Sequence, residues 1–136
     1  MAPSLTHPVE LSHQPATARR QLAQMLADAT WHGDADAVVL AVHEAMVNSQ
    51  RHGGGVRRAT AGFDGADMLV EVSDRGRGFQ IPASPEIPAA AAEHGRGLYL
   101  IRRLATTARV VRAGRDVSLQ LRFAGVTRRD GRGCLC

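Results

Sequence analysis

Period-two alternation dominates the middle and the end of this chain. Met68, Val70, Val72 and Asp74 share one side of a run whose other side is Leu69, Glu71 and Ser73. A strand there buries the first set and carries Asp74 inward with it. Val117, Leu119, Leu121 and Phe123 alternate with Ser118, Gln120 and Arg122, the pattern of a strand with one buried face. Val56 to Gly62 supplies a partner for the 68–73 run through a turn containing Asp64-Gly65, so the two form an antiparallel hairpin. Arg109 to Arg112 pairs with the 117–123 strand. Leu5 to Leu11 reads as a first strand at a sheet edge, because Pro8 has no N–H to give a ladder.

Three stretches follow the helical period instead. Pro15 suits a first helical turn, and Ala18, Leu22, Met25, Leu26 and Ala29 mark the apolar stripe behind it. Trp31-His32-Gly33 breaks the chain, and Asp34 or Asp36 caps a second helix that runs to about His52 and stops at Gly53-Gly54-Gly55. A third helix starts near Gly97 and buries Leu98, Ile101, Leu104 and Ala105. Between the hairpin and this helix, Phe79 to His94 contains Pro82, Pro85 and Pro88 and little that fills a core; it reads as a lid over a site. Beyond Ala124 the Arg- and Gly-containing tail reads as disordered. The expected organisation is one α+β domain over residues 1–124 and a tail over 125–136.

Composition agrees with a single core: 136 residues at 44% hydrophobic content suffice for one domain and leave little for a second. The formal charge is +4, and all 17 basic residues are arginine. These arginines are dispersed along the chain and aromatic residues make up only 4%, so direct nucleic-acid binding is not expected. No apolar stretch reaches the ~18–20 residues of a membrane span, and no signal-peptide pattern opens the chain. The two cysteines, Cys134 and Cys136, enclose no loop worth closing. A disulfide framework is therefore not implied, and a cytoplasmic protein without a membrane partner is expected.

Chemistry concentrates in three places. Asp74-Arg75-Gly76-Arg77-Gly78 ends the inward-facing strand with an acid and two glycines, and a carboxylate aimed at a core needs a donor. Glu44, Asn48 and His52 are spaced i, i+4, i+8, which lines them along one stripe of a helix. A carboxylate and an amide oxygen one turn apart suit hydrated magnesium, a hard cation that takes few protein oxygens and leaves positions for water and phosphate. Gly95-Arg96-Gly97-Leu98 places two glycines before a helix, where the backbone can approach phosphate and the free N–H groups and dipole favour it. The remaining histidines, His7, His13, His32, His43 and His94, show no metal-ligand spacing. His52 suits the negative end of its helix.

The ordered set Glu44…Asn48, Asp74-x-Gly76-x-Gly78 and Gly95-x-Gly97-Leu98 resembles the Bergerat ATP-binding fold of the GHKL superfamily, over roughly residues 5–124. In size and layout it is similar to the anti-sigma-factor serine kinases of the RsbW and SpoIIAB kind. The resemblance implies a two-layer α/β sandwich with a mixed, mainly antiparallel sheet covered on one face by about three helices. It implies ATP and Mg²⁺ as cofactors, with Asn48 on the metal and Glu44 as the general base. Asp74 would accept the adenine amino group, Gly76 and Gly78 would make room for the ring, and Gly95, Arg96, Gly97 and Leu98 would border the phosphates. The partners it implies are a sigma factor and a STAS-like antagonist, together with a homodimer. One departure stands out. Where the kinases carry an arginine just before the second glycine box, this chain has Glu93-His94, which favours nucleotide binding over phosphoryl transfer and keeps a nucleotide-gated interaction module as the alternative.

Overall fold

The computed structural model describes residues 7–52, 54–75, 96–114 and 116–125. Their order is β1 (Val9–Glu10), α1 (Pro15–Asp28), α2 (Ala35–His52), β2 (Val56–Asp64), β3 (Asp67–Asp74), α3 (Arg96–Leu104), β4 (Thr107–Ala113) and β5 (Asp116–Phe123). The strands form one five-stranded sheet in the order β1-β2-β3-β5-β4, and every pairing in it is antiparallel. Three helices pack as a second layer, α2 touching both α1 and α3 and lying against β2 and β3. This is the expected α+β sandwich.

Register decides which residues meet the helices. Ala61, Val70, Leu121 and Ala108 form one cross-strand row, and Ala59, Val72, Leu119 and Val110 the next. Phe63, Met68 and Phe123 make a third row, and all of these belong to or pack against a single core with Leu22, Leu26, Val38, Val42, Met46 and Ile101. Met46, Met68, Ile101 and Leu119 are completely buried, and burial of side chains of this size favours folding by about 1.5–3 kcal/mol each.

The opposite face of the sheet is a polar ladder. Gln120 Nε2 donates to Glu71 Oε2 at 2.8 Å, and the Ser73 and Ser118 hydroxyls meet at 2.7 Å. Arg122 Nη1 and Nη2 donate to Asp67 and Asp64 at 2.7 Å each. The hydrogen bond to Asp64, then that to Asp67, hold the Arg122 guanidinium above its ordinary pKa against the opposing effect of burial. Because Asp64 and Asp67 flank the β2–β3 turn, this fork clamps the hairpin to β5. The Trp31 indole closes the same end, donating from Nε1 to Ala66 O at 2.8 Å.

Local details refine the sequence-based expectations. The first strand is confined to Val9–Glu10 among the described residues rather than Leu5–Leu11, and residues 1–6 lie outside them. It is the sheet-edge strand, as Pro8 suggests. Helix α1 ends at Asp28, so Ala29 becomes its exposed C-cap and not the last member of the buried stripe. Asp34, not Asp36, caps α2: its Oδ1 accepts from Ala37 N at 3.1 Å and its backbone oxygen from Val38 N at 3.2 Å. Asp36 instead occupies the first turn, where a negative charge favours the helix dipole. The expected lid over 79–94 and the tail beyond 125 lie outside the described residues.

Candidate functional site

The C-terminal half of α2 and the end of β3 meet at one edge of the sandwich. Their meeting is set by a short turn. Gly55 N donates to Ser49 O at 2.8 Å, and Gly55 O accepts from Arg75 N at 3.2 Å. Gly55 has φ +103°, a backbone region that side-chain-bearing residues rarely enter. Val56, the next residue, pairs with Asp74. The last turns of α2 are thereby bonded, through one glycine, to the residue that follows Asp74.

Asp74 ends β3 on the face that carries Met68, Val70 and Val72 and is 3% exposed. Its cross-strand neighbours are Val56 and Val117, both buried. A carboxylate between two buried valines is costly unless hydrogen bonds stabilise it, and it is equipped to accept from a donor brought to it.

Glu44 and Asn48 lie on α2 and are half-buried. Their separation is one helical turn, about 6 Å along the axis and about 40° around it. They flank the stripe of Val38, Ala41, Val42, Ala45 and Ser49 that faces the sheet. The Asn48 amide oxygen is a hard donor of the type magnesium accepts, with positions left for phosphate and water, and the Glu44 carboxylate one turn away is a group that can accept a proton. Asn48 therefore fits a magnesium ion held mostly by water and phosphate.

Arg96 and Gly97 form the start of α3, and Leu98 follows half-buried against the core. The helix thus begins two residues earlier than Leu98, which sets Gly97 in its first turn. Gly76, Gly78 and Gly95 lie outside the described residues. Among the described residues, the helix that carries Glu44 and Asn48 is thus bonded near its C-terminus, through Gly55, to the residue after Asp74, and α3 opens with Arg96. A cleft of about 310 Å³ lies instead on the polar sheet face, lined by Leu69, Glu71, Arg109, Gln120 and Arg122 among others. It is on the other side of the sheet from Asp74.

One polar residue at this edge escapes the sequence pattern. Ser49 is fully buried, and among the described residues its Oγ has no hydrogen-bond partner. The signal was available: Ser49 stands four residues after Ala45, on the core-facing side of an apolar stripe where an alanine would suffice.

The family model of the histidine kinase-like ATPase domain matches residues 8–123. The chain belongs to the histidine kinase-like ATPase domain family, of the GHKL superfamily. Membership implies an ATP-binding, kinase-like function. No curated protein matches the chain. No helix among the described residues is long and apolar enough to cross a membrane.

Proposed function

We propose that this protein is an ATP- and magnesium-dependent serine/threonine kinase of the anti-sigma type. It phosphorylates a small STAS-like antagonist and, when not so engaged, holds a sigma factor, acting in the cytoplasm as a homodimer and without touching nucleic acid directly. The observation that supports the reading is buried Asp74 at the end of β3, bonded through Gly55 to the last turns of α2, the helix that carries Glu44 and Asn48, in a histidine kinase-like ATPase domain.

In this reading Asp74 takes the amino group of adenine, and the glycines that follow it leave space for the ring. Asn48 would hold Mg²⁺, whose positive charge would offset the charge developing on the phosphates. Glu44, one turn away, orients the acceptor hydroxyl and receives its proton. The phosphates approach the start of α3, whose free N–H groups and positive dipole end favour them. Catalysis is then positioning plus electrostatic stabilisation.

A second reading, a nucleotide-gated interaction module that transfers nothing, is favoured by Glu93-His94 ahead of the second glycine box. Single-turnover transfer from γ-labelled ATP to candidate antagonists separates the two. The kinase reading expects a phosphorylated serine or threonine on the antagonist, lost in Glu44→Ala while ATP binding persists. Tight ATP binding without transfer to any antagonist that binds the protein supports the module instead.

A further inference from the structure

The sheet carries a hollow on the face turned away from the helices. The cleft of about 310 Å³ there runs from Pro8, beside β1, across the sheet to Thr107 and Arg109 on β4, and its size is at the lower end of the range for small-molecule pockets. Register divides its lining in two. Gly62, Leu69, Arg122 and Thr107 form one cross-strand row, and Thr60, Glu71, Gln120 and Arg109 the next.

Gly62 is a residue that the strand itself does not call for. Pairing of β2 with β3 is regular from Arg58 to Asp64, so Gly62 marks no bulge, and the described glycines with positive φ are Gly54, Gly55, Gly65 and Gly114. A glycine inside a regular strand weakens it, and otherwise marks a place where another group comes close. Opposite it stands half-buried Leu69, an apolar floor on a polar face. The polar groups of the neighbouring row are only partly spent. Gln120 and Glu71 bond one another, and Asp64 and Asp67 hold Arg122. Thr60 is 8% exposed, yet among the described residues its hydroxyl takes part in no hydrogen bond, and the exposed Arg109 guanidinium has neither a hydrogen bond nor an ion pair. The charge left over in the cleft is therefore positive. Arg109 is on β4 and Gly62 on β2, three strand spacings or about 14 Å apart, and the long arginine side chain can reach over part of that span.

We infer that this cleft is a binding site for a small organic carboxylate. Arg109 takes the carboxylate, Leu69 and the space above Gly62 take its apolar body, and the Thr60 hydroxyl offers a hydrogen bond at the far end. The site is on the other side of the sheet from Asp74 and does not depend on the nucleotide reading.

The test is an amide-resolved NMR titration of the full chain with phenylbutyrate, and with phenylbutyramide as its uncharged counterpart. Phenylbutyrate should bind saturably with a Kd of about 1 mM or tighter, in line with a ligand of about twelve heavy atoms, and the shifts should centre on Gly62, Leu69 and Gln120. The amide should bind about tenfold more weakly, and so should phenylbutyrate to Arg109→Gln, the loss expected for one charge-assisted hydrogen bond. Gly62→Val, which fills the hollow with a side chain suited to a strand, should remove the binding. No saturable shifts on this face, shifts confined to the Asp74 edge, equal affinity for the amide, or native affinity in either variant overturns the assignment. Because Arg109 is exposed on an edge strand, its variant tests the site without disturbing the core, and ATP titration is expected to be unchanged in it.

Discussion

Replacing Gly55 with alanine tests whether the glycine link between α2 and β3 organises the site. Nothing lies within 4 Å of a Cβ built at this position, so the substitution introduces no clash with neighbouring elements, and its effect comes from the backbone. At φ +103° an L-residue is strained by about 1–3 kcal/mol. The chain relieves that strain by rotating Gly55 out of position, which breaks its bonds to Ser49 O and Arg75 N. For 136 residues, about 1 kcal/mol corresponds to about 3–5 °C in melting temperature, so Gly55→Ala should lower it by about 5–10 °C. Moving Asn48 and Asp74 relative to one another should also weaken ATP binding about fivefold or more, equivalent to about 1 kcal/mol. Gly65→Ala is the control. It too has open space around its Cβ and a positive φ, +61°, but sits in the turn before Asp67, at the other end of β3, about 25 Å from Asp74. It should lose about 1 kcal/mol of stability and bind ATP as the native protein does. Thermal melts, and calorimetric titrations run below the melting transition, decide the matter. If Gly55→Ala binds ATP as tightly as Gly65→Ala, the link has no role in organising the site.

Three further outcomes are expected. Glu44→Gln should bind ATP within about twofold of native yet transfer phosphate to an antagonist about 10²–10⁴-fold more slowly, the range for loss of a general base, read by single-turnover labelling. Arg122→Met removes the fork on Asp64 and Asp67 and should cost about 1–2 kcal/mol for two partly exposed ion pairs, measured by urea unfolding and reduced at high salt. Because the Arg122 pKa is raised, its contribution is fully present below the unfolded value and is lost only as pH rises through the still higher folded one. The Arg122→Met deficit arising from guanidinium ionisation should consequently not change from pH 6 to 9. Ile101→Ala deletes the fully buried anchor of α3 and should destabilise by about 2–5 kcal/mol, with ATP affinity falling alongside because α3 carries Arg96 and Gly97.

Much of the sheet was legible because its two central strands alternate strictly. Met68, Val70, Val72 and Asp74, and Val117, Leu119, Leu121 and Phe123, are buried in the order their spacing implies. One consequence reached the site directly: period two alone aimed Asp74 inward. Helix limits were less legible where competing signals lay close together. Asp34 and Asp36 both have capping chemistry, and only the contact to Ala37 N distinguishes them. Ala29 continues the periodic stripe but lies past the end of the helix, because periodicity carries no information about where backbone bonding stops.

Tertiary hydrogen bonds were not legible at all. The fork of Arg122 on Asp64 and Asp67 joins residues 58 and 55 positions apart, and it exists only because β5 pairs with β3 in one register. The Gly53-Gly54-Gly55 run signalled a helix stop, yet nothing in it announced that Gly55 would bridge Ser49 and Arg75. Ser49 differs, because its place four residues after Ala45 in the apolar stripe already implied burial. What the sequence did not carry is that its hydroxyl has no hydrogen-bond partner among the described residues.

Calorimetric titration of the native protein with ATP, with and without magnesium, alongside Asn48→Ala and Asp74→Asn, tests the central claim most directly. Magnesium-dependent binding that is lost in both variants is the predicted result. No binding by the native protein, or binding untouched by either substitution, would contradict the assignment of this edge of the fold as the nucleotide site.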